Sequence, residues 1–239
     1  MPAIKPYNTH DSHSYALGLY PCFSLLEHCP SCATRLLISD KAEGEGVEKL
    51  RTQCSTLGIR EEIAPKALQR ISGKANCYAG LVFEKQEGAL CPSLPHVVLH
   101  NPMDEGNVGT ILRTLLGLGL QDIAIIRPAV DPFEPRVVRA TMGALFAMRI
   151  RTYPSFEVYR EEFPTHSLYP FMLDGDKSLD EVAPTHTSPY TLIFGNEGKG
   201  LPAHFASLGQ AVRIAHNDKI DSLNLAVAVA IGAYAFVHS

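Results

Sequence analysis

The chain has 239 residues, 46% hydrophobic and 19% charged, with a formal net charge of −4. That length and composition suit a globular chain of one large or two small domains, not a disordered one, and no apolar run approaches the ~20 residues of a membrane span. The acidic balance excludes a uniformly basic nucleic-acid binder, so any RNA contact has to come from a local patch.

The polar start, MPAIKPYNTHDSHSY, lacks the basic-then-apolar order of a signal peptide, and the expected location is cytoplasmic. YALGLYPCFSLLEH has helix-like apolar spacing, and TRLLISD reads as a short buried strand. GVEKLRTQCSTLG reads as an amphipathic helix stopped at Gly58, and APKALQRISG repeats that pattern at Gly73 before a second strand, AGLVFEK. The Pro- and Gly-containing stretch 86–96 reads as a linker. The expected division is a small α/β domain over 1–92 and a larger one over 93–239.

After the linker, short apolar strands alternate with helices. VVLH (97–100), DIAIIRP, MRIRTY, LYPFMLD, TLIFG and AVRIA read as strands. Helices are expected over 108–119, over 135–146 and from Ser222 to about Val237. Such alternation predicts a mainly parallel sheet with helices on both faces, and ligands at the loops leaving the C-terminal strand ends.

All six cysteines lie in the first 91 residues; Cys29 and Cys32 form C-P-S-C after His28, without the second ligand pair of a structural zinc site, so free thiols are expected. The ten histidines show no metal-ligand spacing, and no metal is expected.

Three stretches carry the chemistry. FGNEGKGLP (194–202) follows a strand, yet its G-x-x-G-x-G spacing fits neither the dinucleotide fingerprint nor the P-loop, and Glu197 is ill-placed in a nest meant for phosphate. A carboxylate among backbone N–H groups suits hydroxyls, an adenine edge or a positive charge; the alternative is a tight turn using glycines for positive φ. HNPMDEGNVGTILRT places Asn107 near a helix N-cap and Arg113 farther in, and RIAHNDKIDSLNLAVAVAIGAYAF opens an Ala-rich helix with Ser222 as the expected cap and Asn224 inside the first turn.

Together, in this order, they resemble the SpoU/TrmH branch of the SPOUT methyltransferases. Asn107, Gly109 and Arg113 match N-x-G-x-x-x-R; Gly195, Glu197, Gly200 and Leu201 match G-x-E-x-x-G-L; Ser222, Leu223 and Asn224 match S-L-N. The resemblance covers about residues 97–238, and residues 14–85 look more loosely like the small substrate-binding domain that often precedes such a domain. It implies an S-adenosylmethionine-dependent RNA 2′-O-ribose methyltransferase with a C-terminal deep trefoil knot, working as a homodimer. The two-domain layout favours ribosomal RNA as the target, with transfer RNA the second choice. Cofactor-pocket roles carry over to Leu173, Gly195, Ile214 and Leu223. Catalytic roles carry over to Arg113, which would bind the phosphate and help activate the hydroxyl, and to Asn107, Glu197, Ser222 and Asn224. Glu197 would orient Arg113 or the loop. One departure is Ala215, where the family usually has proline.

Between Lys85 and Lys177 there is no lysine but there are seven arginines. Arg136 and Arg139, at i, i+3 spacing, are the expected RNA contacts; the alternative is pairing with Asp131 and Glu134. Two competing functions remain open: a non-catalytic RNA-binding paralogue, and a methyltransferase for a small molecule or protein.

Overall fold

The computed structural model describes residues 4–74 and 76–239; residues 1–3, in the polar start, and Ala75 lie outside them. Two units are present, one of residues 1–86 with 131–147, the other of 87–130 with 148–239.

In the first unit, β1 (His13–Leu17), α1 (Leu19–His28), β2 (Ala33–Ile38), α2 (Glu45–Thr56), β3 (Arg60–Ile63), α3 (Pro65–Ser72) and β4 (Ala79–Glu84) build a four-stranded sheet of order β1-β4-β2-β3. Only β2 and β3 pair in parallel. The YALGLY stretch, expected to begin a helix, is split: its first residues form β1, and Gly18, at φ 95, turns the chain into α1. Tyr15, Leu17, Leu37, Leu68 and Val82 form a core cluster. Residues 131–147 join this unit rather than the one that sequence order suggests. Ser14 Oγ donates to the Phe133 carbonyl, Ser24 Oγ donates to the Gly143 carbonyl at 2.7 Å, and Phe146 lies edge-on to Phe83.

The free-thiol expectation fails for two cysteines. Cys29 caps the end of α1, and the 3-10 turn Pro30–Cys32 brings the two Cα atoms to 5.6 Å, within disulfide reach; Cys29 and Cys32 are bonded. Cys22, Cys54, Cys77 and Cys91 are free.

Chain order continues with β5 (His96–His100), α4 (Glu105–Gly117) and β6 (Asp122–Ile126) in the second unit, and α5 (Pro135–Ala140), which packs on β1. The helix expected over 135–146 is thus cut short, with a 3-10 turn over Ala144–Ala147. The second unit resumes with β7 (Arg149–Tyr153), α6 (Phe156–Glu162), β8 (Ser167–Pro170), β9 (Lys177–Ser178), α7 (Leu179–Val182), β10 (Tyr190–Phe194), β11 (Val212–Arg213) and α8 (Leu225–Val237).

Its main sheet has order β7-β6-β5-β10-β8 with every pair parallel. The strands β6 and β10 are buried along their whole length, as expected where helices cover both faces. From β5 the chain winds outward through β6 and β7, while β10 and β8 lie on the other side. The order therefore reverses between β5 and β10, and the crevice beyond their C-terminal ends is where such a sheet offers a ligand site.

Candidate active site

The loops leaving β5 and β10 meet at this crevice. Leaving β5, Asn101 adopts the left-handed region at φ 56, and Asp104 caps α4 by accepting from the Asn107 backbone N–H at 2.7 Å. Leaving β10, Gly195 passes so close to Gly200 that a Cβ would fall 2.2 Å from its carbonyl carbon. Asn196 Oδ1 accepts from the backbone N–H groups of Gly198 (3.0 Å) and Lys199 (3.1 Å), shaping the loop from within. Its amide donates to the Asn101 carbonyl at 2.9 Å and to Glu197 Oε2 at 3.1 Å.

Glu197 ties the two loops together. It accepts from the backbone N–H of Met103 (3.1 Å) and Asp104 (3.0 Å) and from the Asn107 amide at 3.5 Å. Its donors are peptide and amide groups, so it orients the loop and the start of α4 rather than Arg113. Asn107 is the third helical residue of α4, and Asp104 is the cap. At α8 the expected cap is also corrected: Asn224 accepts from the N–H groups of Ala226 (2.9 Å) and Val227 (3.3 Å), and Ser222 stays in the preceding loop. A capping role therefore explains Asn224. Its amide then donates to Asn107 Oδ1 at 3.0 Å. Glu197, Asn107 and Asn224 form one hydrogen-bonded chain joining the β10 loop, α4 and α8.

A cavity of about 440 Å³ opens beside that chain, and Leu173, Gly195, Glu197, Ile214, Ser222 and Leu223 all line it. Phe171 and Phe194, stacked at 4.3 Å, help to wall it, and Asp174 and Lys199 add charge. A second cavity, about 820 Å³, lies across the Asn196–Gly200 loop and is lined by His100, Asn101, Met103, Asp104, Pro128 and Pro202. Sequence reasoning places His100 near the site without giving it a role, and it misses Asn101 and Asn196. Only Asn196 carried a local sign, an Asn before a Gly-containing turn; what it and Asn101 do depends on two loops far apart in sequence.

Other candidates lie elsewhere. Arg113 is exposed and lines neither cavity, six residues (about 9 Å of helix rise) beyond Asn107. Arg136 and Arg139 are on α5, in the first unit. There Asp131 is engaged by Tyr7 and by Lys85 at 3.5 Å. Two of the remaining arginines are ion-paired within the second unit: Arg149 with Asp122, and Arg151 with Glu162 at 2.7 Å. Among the described residues no group of three or more His, Cys, Asp or Glu is placed to hold a metal ion.

Comparison with known proteins adds to this geometry. Residues 95–234 match the model of the SpoU rRNA Methylase family. A Synechocystis protein, "Uncharacterized tRNA/rRNA methyltransferase slr1673", is 33% identical over 141 residues, 58% of this chain and 51% of its own. The chain thus spans about half the length of that curated relative, and 26% of a Syntrophobacter fumaroxidans ribosomal RNA methyltransferase that it also matches. The AdoMet-bound rRNA methyltransferase from Sinorhizobium meliloti superposes with a TM-score of 0.80 at 26% identity, over 94% of this chain and 87% of that one. A structure described as giving insight into "the 2-OH methylation of C/U34 on tRNA" has a TM-score of 0.56 and 30% identity, over 61% of this chain and 95% of that one.

Proposed function

Since the chain belongs to the SpoU rRNA methylase family, we propose that it transfers the methyl group of S-adenosylmethionine to a ribose 2′-hydroxyl of RNA, with ribosomal RNA the first substrate class to test and transfer RNA the second. The observation that carries this reading is the Glu197–Asn107–Asn224 chain beside the 440 Å³ cavity. The cavity suits the cofactor in size and chemistry. Its volume is that of a small-ligand site, its aromatic and aliphatic walls suit an adenine face, and Asp174 and Glu197 put carboxylates near a cation.

When bound, the sulfonium supplies an activated methyl group. Transfer would join the 2′-oxygen to the methyl carbon as the carbon–sulfur bond breaks, with the hydroxyl proton passing to solvent. The protein's part is placement, which alone supplies ~7–11 kcal/mol when reacting atoms are held in line. Glu197 holds the wall between the cavities, and Asn107 and Asn224 fix the helix starts against it. Ser222, exposed on the lining, offers a hydroxyl to cofactor or RNA.

Arg113 gives the phosphate a bidentate partner. Because it lines neither cavity of its own chain, it acts in this reading at the site of a second copy. Support for a homodimer comes from α8, which is apolar all round but leaves Val227, Ile231 and Tyr234 exposed at helical spacing. It packs on α4, the helix that carries Arg113. The family's trefoil knot, a cytoplasmic setting and RNA contacts at Arg136 and Arg139 belong to the same proposal.

The test is transfer of labelled methyl from S-adenosylmethionine to unmodified ribosomal and transfer RNA, with wild type beside Arg113→Ala. Incorporation into one RNA class, lost in the variant, is the expected result. Cofactor binding without transfer to any RNA would contradict this reading, and absence of both favours the non-catalytic RNA-binding reading.

A further inference from the structure

The Asn196–Gly200 loop has a cavity on each side, and the reading above uses only one. The second is walled by three apolar surfaces: Pro128, Pro202 and Met103, the last 58% exposed. Its two carboxylates already have partners. Asp104 caps α4, and both oxygens of Glu197 accept hydrogen bonds. Three groups on its lining keep unused capacity. The Asn101 amide donates to the carbonyls of Ile126 and Pro128, both at 3.3 Å, leaving Oδ1 as an acceptor. Lys199 has no ion pair among the described residues. The third is His100.

His100 sits at the end of β5 with its ring edge-on to Phe205, 5.1 Å between centroids, and its Nδ1 is buried without a hydrogen-bond partner. A proton on Nδ1 would therefore be a buried donor with no acceptor, a costly arrangement. The neutral ring avoids it by carrying its proton on Nε2. Burial holds the His100 pKa below the usual histidine value; Glu157 nearby opposes this and His204 adds to it. The half-buried ring lines the cavity, and Nε2 is the nitrogen left to act there as a neutral N–H donor.

Flat apolar surfaces beside a fixed donor, an amide acceptor and one ammonium match a nucleobase, which has apolar faces and an edge of alternating donors and acceptors. Two carboxylates on the same wall disfavour a phosphate. We infer that the second cavity receives the base of the acceptor nucleoside and that His100 and Asn101 read its edge, making His100 a specificity-determining residue. This rests on the RNA methyltransferase reading, and it places the acceptor one loop's thickness from the cofactor.

The test uses the full chain with S-adenosylhomocysteine filling the first cavity. AMP, GMP, CMP and UMP are titrated separately against protein carrying ¹⁵N-labelled histidine, and methyl transfer to RNA is followed in His100→Ala, His100→Gln and Met103→Ala. One mononucleotide is expected to move the His100 ring signals more than the other three. His100→Ala should raise KM for RNA about tenfold or more, with the S-adenosylhomocysteine Kd unchanged. His100→Gln, which keeps an N–H near the Nε2 position, should recover most of the loss. Unchanged KM and base preference in both His100→Ala and Met103→Ala overturn the inference. If wild type methylates no RNA, the enzyme reading fails instead, and the titration alone decides: unmoved His100 signals with all four nucleotides overturn this one.

Discussion

Gly195→Ala is the sharpest perturbation of the proposed cofactor site. A Cβ there would stand 2.2 Å from the Gly200 carbonyl carbon and 2.4 Å from the Leu201 nitrogen, where ordinary contact begins at 3.4 Å. The strand end and the far side of the loop must then separate by about 1.2 Å. Both clashing groups are backbone, so no rotamer change relieves the overlap. Overpacking of this kind costs about 1–3 kcal/mol, and a shift near 1 Å in a positioning element costs about 100-fold in rate. Gly117→Ala is the matched control, because its Cβ meets nothing within 4 Å at the end of α4. Calorimetric titration with S-adenosylhomocysteine and methyl-transfer kinetics read both variants. Gly195→Ala should lose tight cofactor binding and about 100-fold in kcat/KM, while Gly117→Ala matches wild type. A Gly195→Ala protein that binds cofactor like wild type would refute the assignment of this loop.

Other substitutions separate the roles of the hydrogen-bonded chain. Asn224→Ala removes both the α8 cap, about 1 kcal/mol, and the bond to Asn107; Asn224→Ser should restore the thermal stability but not the activity, and equal recovery of both would deny the Asn107 link a role. Glu197→Gln replaces charge-assisted bonds with neutral ones, each weaker by about 1 kcal/mol, and limited proteolysis should show the 195–201 loop opening; an unchanged cleavage pattern counts against the clamp. Ile231→Asp should shift the protein from dimer to monomer in light scattering; a dimer that survives it places the interface elsewhere. Acid sensitivity follows from His96, fully buried between the Tyr159 hydroxyl and the Cys91 carbonyl, both at 2.9 Å, with its pKa pushed down by burial to about 4. The unfolded chain takes up this proton near pH 6.5, so the stability that His96 contributes is complete above that pH and lost as pH falls toward 4, by up to about 3 kcal/mol. His96→Gln should flatten that part of the denaturation-versus-pH curve.

The central strands were legible because parallel strands buried on both faces read as unbroken apolar runs, as DIAII and TLIFG do. β1 was not, since YALGLY satisfies helical and extended spacing alike until Gly18 turns the chain. The cavity lining at Leu173, Gly195, Ile214 and Leu223 coincides with the positions that the family resemblance picks out. The N-caps were displaced because Asn107 and Ser222 each have a better-placed capping residue within three positions, Asp104 and Asn224. The Asn196–Asn101 bond and the return of residues 131–147 to the first unit are long-range facts, and local periodicity carries no trace of either.

The central claim is the reaction itself, and the product identifies it. RNA treated with enzyme and S-adenosylmethionine bearing a deuterated methyl group is digested to nucleosides and analysed by mass spectrometry. The account predicts that the label appears on the ribose of a single nucleoside species as a 2′-O-methyl group, and that it is lost with Arg113→Ala. Label on a base, or no labelled nucleoside from any RNA while the cofactor still binds, would contradict it.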